Sequence, residues 1–554
     1  MKGFGFVLLI IAVLIFGLIV GTRLPDFIGS GLSAKNTQKF NEAFRLVSEH
    51  YVDNVDNNAI SEGAIEGMLQ RLDPHSVYLS PEEARRSREE FQGSFEGIGI
   101  QFEMIKDTLV VIAASSEGPS EKVGIQSGDR IISINDTNAV GLKNDEIIRR
   151  LRGPKGSIVK VTIKRSGYDE ALIYNIKRDK IATYSVDTYF MLDSQTGYIK
   201  ISQFIETTHS EFLQASTALK ERGMTQLILD LRNNPGGILQ QAIKISDEFL
   251  GASQKIVSQR GRSIPAQTDY SEAGQAFESI PLIVLVNRGS ASASEIVAGA
   301  IQDHDRGLIV GETTFGKGLV QRPYELTDGA ILRVTIAKYY TPSGRLIQRP
   351  FYEGESRRDY YEEADRYAKI DEQAIAIARN QNLELIESAP LIVPDSAHKA
   401  YRTDAGRLVL EGGGITPDYF VWSDSITRFY QAVRSKRLFS EFALSYLEKY
   451  PELRKKFMAK LPSKIEEFSN EFVIESQDIQ SFLSLTTDNG IAFDSTEFVK
   501  DERYLLGAIK SEIAGQIWGS KARAELLIRN DNVLRSAMTL FPKATAFAQN
   551  SRTK

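Results

Sequence analysis

Apolar and polar positions along the chain fall into several rhythms, and each predicts a different kind of structure. Residues 3–21, GFGFVLLIIAVLIFGLIVG, are uncharged and mostly apolar on every face. As a helix they span about 28 Å at about 1.5 Å per residue, close to the hydrocarbon thickness of a bilayer. Over residues 37–93 apolar residues return at helical spacing, first Phe40, Phe44 and Val47, then Ile60, Ala64, Ile65, Met68 and Leu69. Ser80, Pro81 and Glu83 have the form of a capped helix start. From Phe95 to Lys180 the texture changes to β-branched runs broken by Gly, Asp and Asn: FEGIGIQFEMI, TLVVIAA, DRIISIND and IVKVTIKR. One helix, KNDEIIRRLRG, interrupts them.

Beyond Lys180 short apolar strands alternate with helices: TGYIKISQF, THSEFLQASTALKERG, QLILDLRNNPGG, LQQAIKISDEFL and PLIVLVN. That order predicts a largely parallel sheet covered on both faces. A polar, tyrosine-rich insertion, RPFYEGESRRDYYEEADRYAKIDEQ, then interrupts the pattern before GGGITPD, and its charge run reads as a solvated surface element. After Asp418 the spacing is helical again, with Leu505, Ile509, Ile513 and Ile517 four apart. No chemistry is legible in that last stretch; packing, oligomer contacts and a substrate gate are all open to it.

Composition narrows the picture. The 554 residues allow about three or four folded units. A formal net charge of -5, with both signs interspersed, gives no reason to expect nucleic-acid binding. Cysteine is absent, which removes thiol catalysis, thiolate metal sites and disulfides together. The apolar run at 3–21 is long for a cleaved leader, and no small-x-small site follows at TRLPDF, so an uncleaved signal anchor is expected ahead of a removed signal peptide. Lys2 and the amino terminus then put the remainder outside the cytoplasm, with Arg23 on the far flank opposing that orientation.

Candidate chemistry gathers at strand ends. GETTFGKG resembles a phosphate-binding loop in Gly311, Gly316 and Lys317, but Gly318 stands where a magnesium-holding Ser or Thr is required. In LILDLRNNPGGIL a strand runs out at Asp230, and Gly236 and Gly237 allow backbone N–H groups to point into a cleft. In LIVLVNRGSASASEIVAGAIQDH a strand ends at Val286 or Asn287 and a helix opens within three serines. Serines at a helix start serve as caps; three in five positions exceed one cap's need. A nucleophile there gains from the helix N-terminus, which favours a developing oxyanion. The five histidines, His50, His75, His209, His304 and His398, lie outside every glycine-rich strand-end turn. Lysine serves as base instead when a dry pocket lowers its pKa from about 10.4 toward about 7, and Lys317 is placed to reach a serine on the preceding unit.

Taken together, LDPHSVYLS, GPSEKVGIQSGDRIISIND, LRNNPGG, VNRGSASASEIVAGAIQDHDRGLIVGETTFGKGLVQ and YYTPSGRLIQ resemble the C-terminal processing peptidases, serine proteases of the tail-specific S41 family. The resemblance runs over about 37–348, with GGGITPD beyond. It implies a multidomain α/β fold: a crotonase/ClpP-like protease core, a PDZ β domain, and helical regions at both ends. The expected organisation is an anchor at 1–23, a helical region at 36–93, PDZ at 94–180, core at 181–349 plus 401–424, the insertion at 350–400 and a helical region at 425–554. The resemblance makes Ser292 the nucleophile, Lys317 the base, Gln321 the residue orienting the lysine, and the N–H groups of Gly237 and Ala293 the oxyanion donors. Gly97, Ile98, Gly99 and Ile100 fall at the PDZ carboxylate-binding loop, and Arg152 matches an arginine that links peptide binding to active-site alignment; the residues alone also allow a surface helix-end charge.

These expectations amount to a membrane-anchored endopeptidase of the cell envelope with its catalytic part in the periplasm. It would need no metal or other cofactor, and its substrates would be proteins with free C-terminal tails. No nucleic acid is expected, while a homo-oligomer or regulatory partner stays open. The rival from another class is a membrane-tethered PDZ adaptor with an inactive protease fold. Every matched catalytic position keeps the active pattern.

Overall fold

The structure, a computed structural model, describes residues 31–352 except 116, then 355–361, 399–458 except 425, 465, 468 and 471–550. The expected anchor at 1–23 and residues 362–398 of the insertion lie outside the described residues. Among the described residues no helix is long and apolar enough to cross a membrane. The chain divides into two compact units, residues 1–78 and 79–554.

In the first unit, α1 (Gly31–His50) and α2 (Asn57–Leu69) form where helical spacing predicts them. Asp56 caps α2, its carboxylate accepting from the N–H groups of Asn58 and Ala59 at 2.9 and 3.2 Å. Phe40, Val47 and Met68 on these helices are exposed, since two helices alone cannot bury an apolar stripe on each.

The second unit opens with α3 (Pro81–Phe91), where Ser80 and Glu83 form the expected reciprocal cap. The β domain follows. β1 (Ser94–Gly97) precedes β2 (Ile100–Ile105), β3 (Thr108–Ala114), β4 (Arg130–Ile134), α4 (Asn144–Leu151), β5 (Ile158–Lys164), β6 (Leu172–Lys177) and β7 (Asp179–Ala182). β2 through β6 pair in that order, all antiparallel, and β1 pairs with β7. β2 is the edge of that sheet, its pairing among the described residues being with β3 alone.

The α/β core comes next: β8 (Thr188–Met191), β9 (Thr196–Lys200), α5 (Thr208–Glu221), β10 (Gln226–Asp230), α6 (Leu239–Asp247), β11 (Lys255–Arg260), β12 (Gln267–Tyr270), β13 (Leu282–Val286), α7 (Ala293–Asp303) and β14 (Leu308–Gly311). β15 (Leu319–Glu325), β16 (Ile331–Tyr340) and, beyond the insertion, β17 (Tyr419–Phe420) complete it. One sheet runs β8-β9-β10-β13-β14-β17, parallel except at β8. β15, β16, β11 and β12 build a second, antiparallel one.

Alternation along the parallel strands shows why both faces must be covered. Leu227 and Leu229 of β10 and Val284 and Val286 of β13 join a buried cluster with α5, α6 and α7. Ile228, Ile283 and Leu285 point the other way, into a cluster with Val533, Leu534, Ala537, Phe541 and Ala544. Those five lie on α14 (Asn532–Thr539) and α15 (Phe541–Asn550). The last helices of the chain therefore supply the second layer of the core.

The rest of the C-terminal region, α8 (Arg428–Ser435), α9 (Leu438–Lys449), α10 (Pro451–Met458), α11 (Ser476–Asp488), α12 (Ser495–Trp518) and α13 (Ser520–Arg529), builds a separate hydrophobic core. Leu505, Ile509, Ile513 and Ile517 of α12 are all buried in it, as their spacing predicts.

Candidate active site

Three serines open α7, and the fold separates their tasks. Ser290 is fully buried and donates to the Leu231 carbonyl at 2.8 Å; Ser294, also fully buried, donates to the Asn234 carbonyl at 2.9 Å. Both hydroxyls fasten the turn to the loop that leaves β10. Ser292 between them is half-buried and sits at φ 55°, ψ −110°, a backbone conformation costly for a residue with a side chain. It is held there from both sides: Ala291 N–H donates to Asn234 O at 2.9 Å, and Ser292 N–H to the Glu295 carboxylate at 2.7 Å.

Glu295 organises the site. Its carboxylate is fully buried and accepts four hydrogen bonds: from Ser292 N–H, from the Thr314 hydroxyl at 2.6 Å, and from the N–H groups of Gly316 at 2.6 Å and Lys317 at 2.9 Å. Burial raises its pKa, and the donors that favour the charged form oppose that without overturning it. The same carboxylate thus ties the helix start bearing Ser292 to the loop bearing Lys317. Tyr339 of β16 adds a second tie, its hydroxyl lying 3.0 Å from the Ser292 carbonyl and 2.5 Å from that of Lys317. Phe315 N–H donates to Ser290 O at 3.0 Å, a third. Lys317 Nζ donates to Gln321 Oε1 at 2.9 Å, on β15 immediately beyond the loop.

The glycine turn closes the other side. A Cβ on Gly236 would stand 2.7 Å from Ser292 Cβ and 2.9 Å from Ala293 N, so only glycine lets this turn reach the serine. Gly237, at φ 145°, runs against Phe204: Phe204 N–H donates to Gly236 O at 2.9 Å and Ile238 N–H to Phe204 O at 2.8 Å. A Cβ on Gly237 would stand 2.0 Å from the Phe204 carbonyl. Upstream, Asp230 is fully buried yet its pKa is lowered: burial pushes it up, and the Arg232 guanidinium, as close as 2.6 Å, with Lys200 and the Tyr198 hydroxyl, more than offsets that.

Ser292, Ala293, Gly237, Lys317 and Gln321 are thereby brought to one end of the parallel sheet, around the start of α7. Hydroxyl, amine and backbone donors in that order suit acyl transfer. Gly97, Ile98, Gly99 and Ile100 lie elsewhere, from the end of β1 to the start of β2, where the Ile98 carbonyl accepts from the Ser120 hydroxyl at 2.7 Å and Gly99 O from Ser115 N–H at 2.9 Å. Arg152, just after α4, pairs with Glu89 at 3.1 Å and stacks on Phe95 at 4.4 Å. It lines a cleft of about 380 Å³ with Ser202, Gln203 and Ile205, the neighbours of Phe204. Arg152 is thus a helix-end charge, 41% exposed, that has both an ionic and an aromatic partner.

Sequence reading passed over Glu295, Tyr339 and Asn234. Glu295 carried a signal: S-x-x-E at the helix start is a capping-box spacing. In the described start of the insertion the charge run is exposed at Arg358 and Asp359. That opening is not all solvated: Tyr360 is fully buried, packs edge-on against Phe315 and Phe351, and Arg349 stacks over both Phe315 and Tyr360. Aromatic faces and a guanidinium compensate each other there, beside the lysine loop.

Comparison with known proteins gives consistent matches. The profile of peptidase family S41 matches residues 195–353, a PDZ domain 97–175, the N-terminal domain of the activating protease CtpB 28–83, and a family of unknown function (DUF8443) 429–519. The carboxy-terminal-processing protease of Bartonella bacilliformis is 40% identical over 322 residues, 57% of this chain and 73% of that one. The carboxy-terminal processing protease CtpA of Bacillus subtilis is 36% identical over 312 residues, 56% and 66% of the two chains. Among solved structures, a photosystem II D1 C-terminal processing protease aligns over 56% of this chain and 89% of its own, at 30% identity and a TM-score of 0.33.

Proposed function

Because the chain belongs to peptidase family S41 and is a carboxy-terminal processing serine protease carrying a PDZ domain, we propose that it cuts proteins near their C-termini by a serine–lysine mechanism, with the PDZ domain receiving the tail. Lys317 Nζ, oriented by Gln321, takes the Ser292 hydroxyl proton. The alkoxide attacks the scissile carbonyl, and the N–H groups of Gly237 and Ala293 donate to the oxygen that becomes negative. The protonated amine returns its proton to the leaving nitrogen. Water, deprotonated by the same lysine, then hydrolyses the ester.

The observation that carries this reading is the shared acceptor: Glu295 holds the backbone N–H of Ser292 and that of Lys317 at once. Nucleophile and base are therefore mounted on one buried group. For the tail, an edge strand beside a glycine loop suits β-augmentation and capture of a terminal carboxylate, which assigns Gly97, Ile98, Gly99 and Ile100 to peptide binding. Arg152, between α3 and the residues flanking Phe204, lies on a route from that domain to the glycine turn. Residues 3–21 anchor the chain, and the substrates are extracytoplasmic.

Incubating the full chain with an unfolded protein, beside Ser292→Ala and Lys317→Ala variants, tests the reaction. Cleavage by the wild type alone is expected; binding without cleavage leaves the adaptor. Amidating the substrate's C-terminus is expected to slow cutting, and equal rates for free and amidated tails would remove the PDZ domain from delivery.

A further inference from the structure

The C-terminal helices touch both the PDZ domain and the glycine turn. α13 joins the two contacts. Near its start Arg523 pairs with Glu103 of β2 at 3.2 Å, on the strand assigned above to the peptide, and with Glu512 of α12 at 2.6 Å. Around it, Ser127 donates to Gln516 at 2.6 Å and Lys106 pairs with Glu441 at 2.5 Å. Six residues on from Arg523, about 9 Å along the axis, Arg529 at the other end of α13 donates to the carbonyls of Met191 and Leu192 at 2.8 and 3.1 Å.

Two residues on, Asp531 offers both carboxylate oxygens to Arg232 Nη1, at 3.0 and 2.9 Å. The rest of that guanidinium is spent on Asp230, through Nε at 3.0 Å and Nη2 at 2.6 Å. Tyr198 closes the set with a 2.7 Å bond to Asp230. Arg232 stands at the root of the turn 232–237, and the turn's next anchor, Asn234, is the residue that holds Ala291 and Ser294. Nothing within the protease core contributes the second carboxylate on Arg232; a helix junction 299 residues later does.

We propose that Asp531 is a positioning residue for the peptidase reaction: through Arg232 it sets the glycine turn that donates to the oxyanion, and α13 makes that setting responsive to the PDZ strand β2. The proposal rests on the serine–lysine reading above. It assigns to the C-terminal helical region a part in catalysis that its apolar spacing alone could not reveal. The Asp531 carboxylate also caps α14, accepting from Leu534 N–H at 2.9 Å. A purely structural role would end there.

The test is steady-state cleavage of an unfolded protein by the full chain, with free and amidated tails, for wild type, Asp531→Asn, Asp531→Glu and Arg523→Ala. Asparagine caps helices as well as aspartate does, so Asp531→Asn removes the charge facing Arg232 and leaves α14 started. It is expected to lose at least about tenfold in kcat, the factor that about 1.4 kcal/mol of barrier commands, with KM unchanged. Asp531→Glu is expected to regain part of it. Arg523→Ala is expected to shrink the difference between free and amidated tails. An Asp531→Asn chain that keeps the wild-type kcat and only melts earlier overturns the proposal, as does a change confined to KM. If that variant does not fold, Arg523→Ala decides: an undiminished tail preference overturns it. A wild type that leaves the substrate whole sinks the serine–lysine reading as well, whereas the other failures leave that reading standing.

Discussion

The two loops that flank Ser292 are secured in opposite ways. The lysine loop is tied from inside the core, by a carboxylate three residues along the helix that Ser292 opens. The glycine turn is tied partly from outside, by Asp531 acting on Arg232 across 299 residues of sequence. The internal tie cannot change without disturbing the helix start itself. The external one can change with any movement of the C-terminal helices. In the proposed mechanism the general base and the Ala293 donor stand on the more permanent mount, and the Gly237 donor on the adjustable one.

The largest expected effect probes the permanent side: Lys317→Ala lowers kcat by about 10²–10⁴-fold, the range a positioned general base contributes, read from single-turnover cleavage. Gly236→Ala attacks the other loop without touching an ionisable group. Its Cβ would meet Ala291 O and Ser292 Cβ, each at 2.7 Å, so the turn must retreat, and a loss of about 10²–10³-fold, that of one oxyanion donor, is expected. Wild-type activity in Gly236→Ala would show that the turn's position does not matter to the reaction. Glu295→Ala leaves three N–H groups and the Thr314 hydroxyl without their acceptor, at about 1–3 kcal/mol for each one left buried. Thermal unfolding is expected to come much earlier, and the lysine loop to exchange amide hydrogen faster than the glycine turn.

The smallest effect concerns the external mount. Burial lifts the Glu512 pKa from an ordinary 4.5 to about 7, with Arg523 and the Ser440 hydroxyl opposing and Glu103 assisting. The folded chain binds that proton more tightly than the unfolded one. Its stabilising contribution is complete below about 4.5 and is lost as pH rises toward about 7. Glu512→Gln is expected to flatten the fall in melting temperature over that window; an unaltered slope would place the titration elsewhere.

Much of this architecture was legible because its signals are local. Strand ends followed by glycine, the alternation in LILDL and LIVLV, and the cap at Ser80 each depend on a few neighbouring residues. Ser292 could be singled out from its two neighbours only by the family resemblance; the structure shows that Ser290 and Ser294 spend their hydroxyls on Leu231 and Asn234. What escaped was pairing at long range. The spacing of 532–550 marks amphipathic helices but not that their apolar faces cover Ile228, Ile283 and Leu285. Nothing local distinguishes Asp531 from any other helix cap, and the polar look of the insertion hid Tyr360 against Phe315.

The central claim is that Lys317 deprotonates Ser292. Its most direct test is the rate at which an alkyl fluorophosphonate labels Ser292, followed from mildly acid to alkaline pH in the wild type and in Lys317→Ala. The wild-type rate should rise to a plateau with a midpoint well below the about 10.4 of a free lysine, and the variant should lose that rise. A Lys317→Ala chain labelled at Ser292 as fast as the wild type, with the same pH dependence, would contradict the account.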